Sequence, residues 1–148
     1  MATRPSDPQI ADMEADLRRS WGTLSCRSKD AMDFWSHEWS RHGTCSGMPQ
    51  HAYFRAALDL KARLDLTGAL LDAGIVPSDE AAYCLGRVRA AVAAATGAAP
   101  MVECNRSKRN ETQLYQVYVC VGPDARTLVP CPPPAQRGCT DTIKFPPF

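Results

Sequence analysis

Asp33-Phe34-Trp35-Ser36-His37-Glu38-Trp39-Ser40-Arg41-His42-Gly43-Thr44-Cys45 packs two histidines, a carboxylate and a guanidinium into the six positions from His37 to His42. Read as a helix at about 100° per residue, the side chains of His37, Glu38, Arg41 and His42 share one arc of about 140°. His37 and Arg41 stand at i,i+4, as do Glu38 and His42, so each pair is adjacent on the helix surface. Phe34 lies on the same arc. Trp35 and Trp39 flank it as an apolar shoulder, and Ser36 and Ser40 point away. Gly43 is expected to stop the helix, which leaves His42 in the last turn, where the helix dipole favours an imidazolium. Such a cluster suits chemistry at a phosphate. It supplies proton transfer near neutral pH, a cation for developing negative charge, and a carboxylate to hold them in place.

A metal site is the rival reading of His-Glu on a helix. A zinc hydrolase needs His-Glu-x-x-His, with both ligands on one face at i,i+4. Here Arg41 takes the i+4 position and His42 stands one residue too far on. No metal and no cofactor is therefore expected. The bland readings are an ordinary surface ion pair for Glu38 and Arg41, and a surface or helix-packing histidine for His37. Trp35 and Trp39 are expected to pack rather than to stack on bases. His51 opens a helix and is expected to be exposed and without a catalytic role.

His-Glu-Trp-Ser-Arg-His-Gly-Thr-Cys, residues 37–45, resembles the second active-site motif of the ribonuclease T2 family, usually His-Glu-Trp-x-Lys-His-Gly-Thr-Cys. Residues 20–26 (Ser-Trp-Gly-Thr-Leu-Ser-Cys), 51–61 (His-Ala-Tyr-Phe-Arg-Ala-Ala-Leu-Asp-Leu-Lys) and 113–121 (Gln-Leu-Tyr-Gln-Val-Tyr-Val-Cys-Val) are similar to the plant S-like branch. So is the ending Ile143-Lys144-Phe145-Pro146-Pro147-Phe148. An earlier family motif, His-Gly-Leu-Trp-Pro, supplies another catalytic histidine. It does not occur among these 148 residues, whose histidines are His37, His42 and His51. The resemblance implies that residues 1–148 are a ribonuclease T2-like domain lacking its N-terminal segment.

The activity so implied is metal-free RNA cleavage by transesterification. A base takes the ribose 2′-OH proton, the oxygen attacks phosphorus, and an acid protonates the departing 5′ oxygen, leaving a 2′,3′-cyclic phosphate. DNA lacks the 2′-OH and is not a substrate. The resemblance casts His42 as one of the two proton-transferring histidines, taken as the base with the roles exchangeable, Glu38 and Arg41 as stabilisers of the phosphorane, and His37 as a phosphate ligand. Arg41 stands where the family usually has Lys, a planar fork replacing a compact point charge. Without the earlier motif, activity is expected to be weak. The alternative is a catalytically dead RNA-binding or storage-like remnant. The basic loop Arg106-Ser107-Lys108-Arg109 could touch RNA phosphates, but a solvated loop is the expected reading.

Seven cysteines, at positions 26, 45, 84, 104, 120, 131 and 139, are dense enough to read as a disulfide framework with at least one left unpaired. The resemblance implies Cys104–Cys139 and Cys120–Cys131. It places the partners of Cys26 and Cys45 upstream and gives Cys84 no counterpart. These bridges and the family point to an extracellular or vacuolar protein. Met-Ala-Thr-Arg-Pro-Ser-Asp-Pro has no apolar signal-peptide core, so the literal sequence points to the cytoplasm. A formal net charge of +1 excludes a strongly basic surface that holds nucleic acid non-specifically. RNA is the expected partner, with neither DNA nor a membrane. Removal of an upstream wall is expected to expose faces of Trp35 or Trp39 and to promote association.

The remaining pattern is helical first and strand-rich later. Ser6 or Asp7 is expected to cap a first helix, with Pro8 early in it and Ile10, Met13, Leu17 and Trp21 at helical spacing. The active-site helix should cover 32–42 and a third 50–64, with Phe54, Ala57, Leu58 and Leu64 on one side. Thr67 should cap a short helix ended by Gly74. Ser78 or Asp79 should cap an Ala-rich helix reaching about residue 95, closed by Gly97 and Pro100. Met101–Cys104 and Leu114–Val121 read as strands, the second central, with Tyr115 and Tyr118 alternating with Val117 and Val119. Gly122-Pro123-Asp124 makes a turn into 127–129, and Thr142–Phe145 a closing strand. The chain has no repeat and no clear linker. The expected fold is α+β with one core, N-terminal helices packed on an antiparallel sheet.

Overall fold

A computed structural model describes residues 7–23 and 30–148. The chain forms two compact units, Met1–Arg63 and Leu64–Phe148. The single core expected from sequence is thus two hydrophobic clusters, one within each unit.

The N-terminal unit is helical. Helix α1 (Asp7–Ile10), a 3-10 turn (Ala11–Met13) and α2 (Glu14–Ser20) carry the expected apolar spacing. Ile10, Met13 and Leu17 are fully buried. They meet Trp35 and Trp39 of α3 (Ala31–Arg41) and Phe54 and Leu58 of α4 (Gln50–Arg63). Trp35 is 0% and Trp39 7% exposed, which overturns the expectation of a bare tryptophan patch. The unit's own helices supply enough apolar surface to cover both indoles. The Ser6 cap and Cys26 lie outside the described residues.

The C-terminal unit sets two helices on a sheet. Helix α5 (Leu66–Asp72) is capped by Asp65, whose carboxylate accepts the Gly68 N–H at 2.8 Å, so Thr67 lies inside the helix rather than at its cap. The Ser78 hydroxyl accepts the N–H groups of Glu80 and Ala81 at 3.1 and 2.9 Å, making a turn instead of a helix cap. Strand β1 (Ala82–Cys84) then intervenes before α6 (Leu85–Thr96). Local capping chemistry at Ser78 is satisfied by that turn, and strand pairing claims the next residues.

Strands β2 (Met101–Arg106), β3 (Thr112–Tyr118), β6 (Gln136–Arg137) and β7 (Thr142–Lys144) complete a five-stranded sheet of order β1-β7-β3-β2-β6. Strand β3 is central, as its β-former content predicts. The sheet is mixed rather than wholly antiparallel: β1–β7 and β2–β3 are antiparallel, β2–β6 and β3–β7 parallel. A tight turn can only join antiparallel neighbours, and β6 and β7 return to the sheet through longer connections. A bulge between Glu103 and Cys104 shifts the register. It lets Leu114 and Val117 both pack on the core, while Tyr115 is 57% exposed.

The expected strand through Val121 breaks after Tyr118. Strand β4 (Cys120–Val121) pairs instead with β5 (Leu128–Val129) in a separate ribbon. The Cys120–Cys131 disulfide spans that ribbon, and Cys104–Cys139 ties the β2 bulge to the chain beyond β6. Both bridges are those the resemblance implied. Cys45 and Cys84 are free and exposed.

Candidate active site

Helix α3 begins where Asp30 accepts the Met32 N–H at 2.9 Å, an N-cap that satisfies one of the orphan donors of the first turn. Its two indoles fix its rotation. Trp35 Nε1–H donates to the Trp21 carbonyl at 2.9 Å, and the Arg18 guanidinium sits 5.7 Å from the ring centroid. Trp39 packs edge-on against Tyr53 of α4, centroids 5.6 Å apart. With Trp35 and Trp39 held inside, the polar arc of the helix faces outward. His37, Arg41 and His42 are exposed, and Glu38 is half-buried.

The end of α3 differs in mechanism from the sequence reading. His42 is the C-cap, and its N–H donates to the Glu38 carbonyl at 2.9 Å. Gly43 does not stop the helix by turning left-handed; it starts a 3-10 turn, Gly43–Ser46. A Cβ on Gly43 would lie 2.2 Å from Cε3 of Trp39, so glycine is needed there for close packing against the indole. The left-handed position is Gly47, at φ 70°. Ser46 braces the turn by donating to the Gly43 carbonyl at 2.5 Å.

Among the described residues, the side chains of His37, Glu38, Arg41 and His42 form no hydrogen bond or ion pair. The surface ion pair between Glu38 and Arg41 is therefore not formed. Four polar groups stand unspent on one rigid helix end, available to a ligand. Tyr53 is a neighbour that the sequence did not signal. Its half-buried phenol is pushed above its usual pKa, first by burial and then by the Glu38 carboxylate. The contact crosses from α4 to α3, and no spacing within either segment encodes it.

His51 does not join this group. Its Nε2 lies 3.1 Å from each carboxylate oxygen of Asp12, and Arg55 reaches the same carboxylate at 3.5 Å. The His51 hydrogen bond is the main cause that holds the Asp12 carboxyl below its usual pKa. Among the described residues, no three His, Cys, Asp or Glu side chains are grouped to hold a metal ion. No helix among them is long and apolar enough to cross a membrane.

The arrangement joins two imidazoles, a guanidinium and a carboxylate on a firm base, a set able to move a proton and to bind a phosphoryl group. Residues 2–131 match the model of the ribonuclease T2 family. An extracellular ribonuclease, LE, of Solanum lycopersicum is 42% identical over 143 residues, covering 95% of this chain and 62% of the relative. An intracellular ribonuclease, LX, of the same plant is 39% identical over 143 residues, covering 96% and 60%. The crystal structure of RNase NT in complex with 5′-AMP superposes with a TM-score of 0.90 at 38% identity, covering 99% of this chain and 72% of that one. The chain spans 60–66% of the length of four curated plant ribonucleases that it matches. Motif, disulfides, α+β architecture and family model agree, and the chain belongs to the ribonuclease T2 family.

Proposed function

We propose that this chain carries the proton-accepting and charge-stabilising part of a metal-free RNA-cleaving site. The observation that carries the reading is the end of α3, where His37, Glu38, Arg41 and His42 stand unpaired above two buried indoles. His42 takes the proton of the ribose 2′-OH. The freed oxygen attacks the adjacent phosphorus, and the 5′ oxygen departs, leaving a 2′,3′-cyclic phosphate. Arg41 neutralises charge on the phosphorane, Glu38 supports it from the half-buried side, and His37 binds a non-bridging oxygen. The family match supports RNA as substrate, and the need for a 2′-OH excludes DNA.

The departing oxygen needs an acid. His51 is engaged by Asp12, and His37 is assigned to phosphate. In this chain by itself, water supplies the proton, and turnover is slow. Residues 1–148 are read as part of one T2-type domain: the matched stretch 2–131 runs through the boundary between the two units. Two disulfides support an extracellular or vacuolar setting. A second reading, an RNA-binding member without turnover, is favoured by the engagement of His51 with Asp12, which keeps it from serving as the acid.

A paired assay of the chain, His42→Ala and a version extended upstream with a His-Gly-Leu-Trp-Pro segment tests this. The extended form should be faster by about 10²–10⁴-fold, the contribution of one positioned acid. The residual rate should need His42, survive a chelator, spare DNA and give cyclic phosphate ends. Equal rates for the chain and its extended form would make His37 the acid. A rate untouched by His42→Ala would remove the site from the reaction. RNA binding without any His42-dependent rate would establish the second reading.

A further inference from the structure

A groove of about 400 Å³ runs along the C-terminal unit between the turn at 78–80 and the tip of the β2–β3 hairpin at 107–111. None of its residues belongs to α3. We infer that this groove binds a nucleotide unit of single-stranded RNA, its phosphate on Lys108 and Arg109 and an amino-bearing base on Asp79 and Glu80.

Both walls are rigid. At the hairpin tip, the Ser107 hydroxyl accepts the N–H groups of Arg109 and Glu111, each at 3.2 Å. The Arg106 guanidinium donates to the Asn110 carbonyl at 3.0 Å. On the other side, the Ser78 turn is pinned by its own N–H, which donates to the Phe145 carbonyl at 2.8 Å. The floor is Lys144. Its ammonium donates to the carbonyls of Asp79 and Glu80 at 3.0 and 2.8 Å and lies 3.6 Å from the Glu111 carboxylate. Lys144 and Glu111 thus neutralise each other and fix the spacing of the walls.

What remains on the lining is two exposed carboxylates on the 78–80 turn and two exposed cations on the hairpin tip. Among the described residues, the side chains of Asp79, Glu80, Lys108 and Arg109 have no partner, and none of the four pairs with another. A ligand that bridges such walls needs an anionic end and a hydrogen-bond-donating end. A nucleotide has both. Lys and Arg take phosphate oxygens, and Asp or Glu accepts from an exocyclic base amine. Unstacked RNA bases present those edges freely. Cytosine offers its amine where uracil offers a carbonyl oxygen, so a carboxylate that meets this 4-position favours cytosine over uracil, whose donor is the ring N3–H. The volume lies within the range of about 300–1,000 Å³ usual for small-molecule pockets.

The proposal is independent of the cleavage chemistry, because its readout is binding. The test is an amide NMR titration of the 148-residue chain with 5′-CMP, 5′-UMP, inorganic phosphate and a 2′-O-methyl cytidine hexamer, which transesterification cannot cut. CMP should shift the amides of 79–81 and 108–111 together, with one dissociation constant. UMP should bind about tenfold more weakly, the loss of one base contact. Phosphate should move the hairpin tip alone, and the hexamer should bind more tightly than CMP. Lys108→Ala/Arg109→Ala should weaken CMP binding at least about tenfold. Asp79→Asn/Glu80→Gln should erase the preference over UMP, because an amide can also donate to a uracil oxygen. All four substitutions change exposed charges, and an unchanged spectrum elsewhere verifies the fold. Equal binding of CMP and UMP, or shifts confined to the hairpin tip, would overturn the base assignment. A hexamer weaker than CMP would overturn the RNA assignment. Shifts at 37–42 with none in the groove would sink this proposal and leave the cleavage reading standing.

Discussion

Glu38 and Tyr53 come from different helices, yet each reports on the other. Burial is the larger cause of the raised Tyr53 pKa, and the Glu38 carboxylate is the smaller. An anion nearby disfavours a phenolate, so removing its charge lowers the pKa, while burial keeps it above the usual value of about 10. Glu38→Gln should therefore shift the tyrosine absorbance titration of this one residue downward without restoring it to normal. An unmoved midpoint would mean that Glu38 does not face Tyr53. The arc of His37, Glu38, Arg41 and His42 was legible in the sequence because one helix generates it. Tyr53 was not, because its place at the site is made by packing between helices. The role of Gly43 was hidden for the same reason: a stop signal and a contact with Trp39 call for the same residue.

Close packing at the end of α3 gives the element its sharpest test. Gly43→Ala would bring a methyl to 2.2 Å from Cε3 and 2.8 Å from Cζ3 of Trp39. Neither indole nor backbone can move far, because Trp39 also abuts Tyr53. The expected cost is about 1–3 kcal/mol, typical of an overpacked core, read as a lower urea midpoint with unchanged slope. Gly47→Ala is strained instead by its left-handed backbone, with nothing within 4 Å of the new methyl. At the β4–β5 turn, Asp124 is held down to a pKa of about 2, first by the Thr127 hydroxyl, then by the N–H groups of Thr127 and Arg126. A carboxyl depressed on folding stabilises fully above its unfolded pKa, about 3.9. That contribution fades as pH falls toward the folded value. A carboxyl NMR titration of Asp124 should have its midpoint near 2, and a midpoint near 4 would refute the turn geometry. Element types were mostly readable from periodicity, but ends were not. The Ser78 cap became a turn, and the strand after Tyr118 broke because a bridge at Cys120 draws it into another ribbon.

For the whole molecule, the cysteines divide into bridged and open. Alkylation under native, oxidising conditions followed by peptide mapping should label Cys45 and Cys84 and leave Cys104–Cys139 and Cys120–Cys131 intact. A dominant Cys26–Cys45 bridge would contradict this. Closing a span of 35 residues limits the unfolded chain, so Cys104→Ser/Cys139→Ser should cost about 4 kcal/mol in the chain-entropy account, measured by denaturant unfolding. The pairing was legible through the family resemblance alone, since spacing leaves many connectivities open. The division into two hydrophobic clusters was not legible at all. Apolar periodicity says which residues go inside, not which inside they share.

The ribbon of β4 and β5 has a separate consequence for engineering. Its ends are held by Cys120 and Cys131, whose Cα atoms are 5.1 Å apart, and its tip hangs on Asp124. A foreign peptide spliced between Ala125 and Arg126 would forfeit that tip and the contacts of the turn at 122–127. The five-stranded sheet does not include these residues, and lengthening a loop costs only slowly growing entropy. Residues 120–131 are thus a display loop, a place where an epitope or affinity tag can be carried outside the five-stranded sheet.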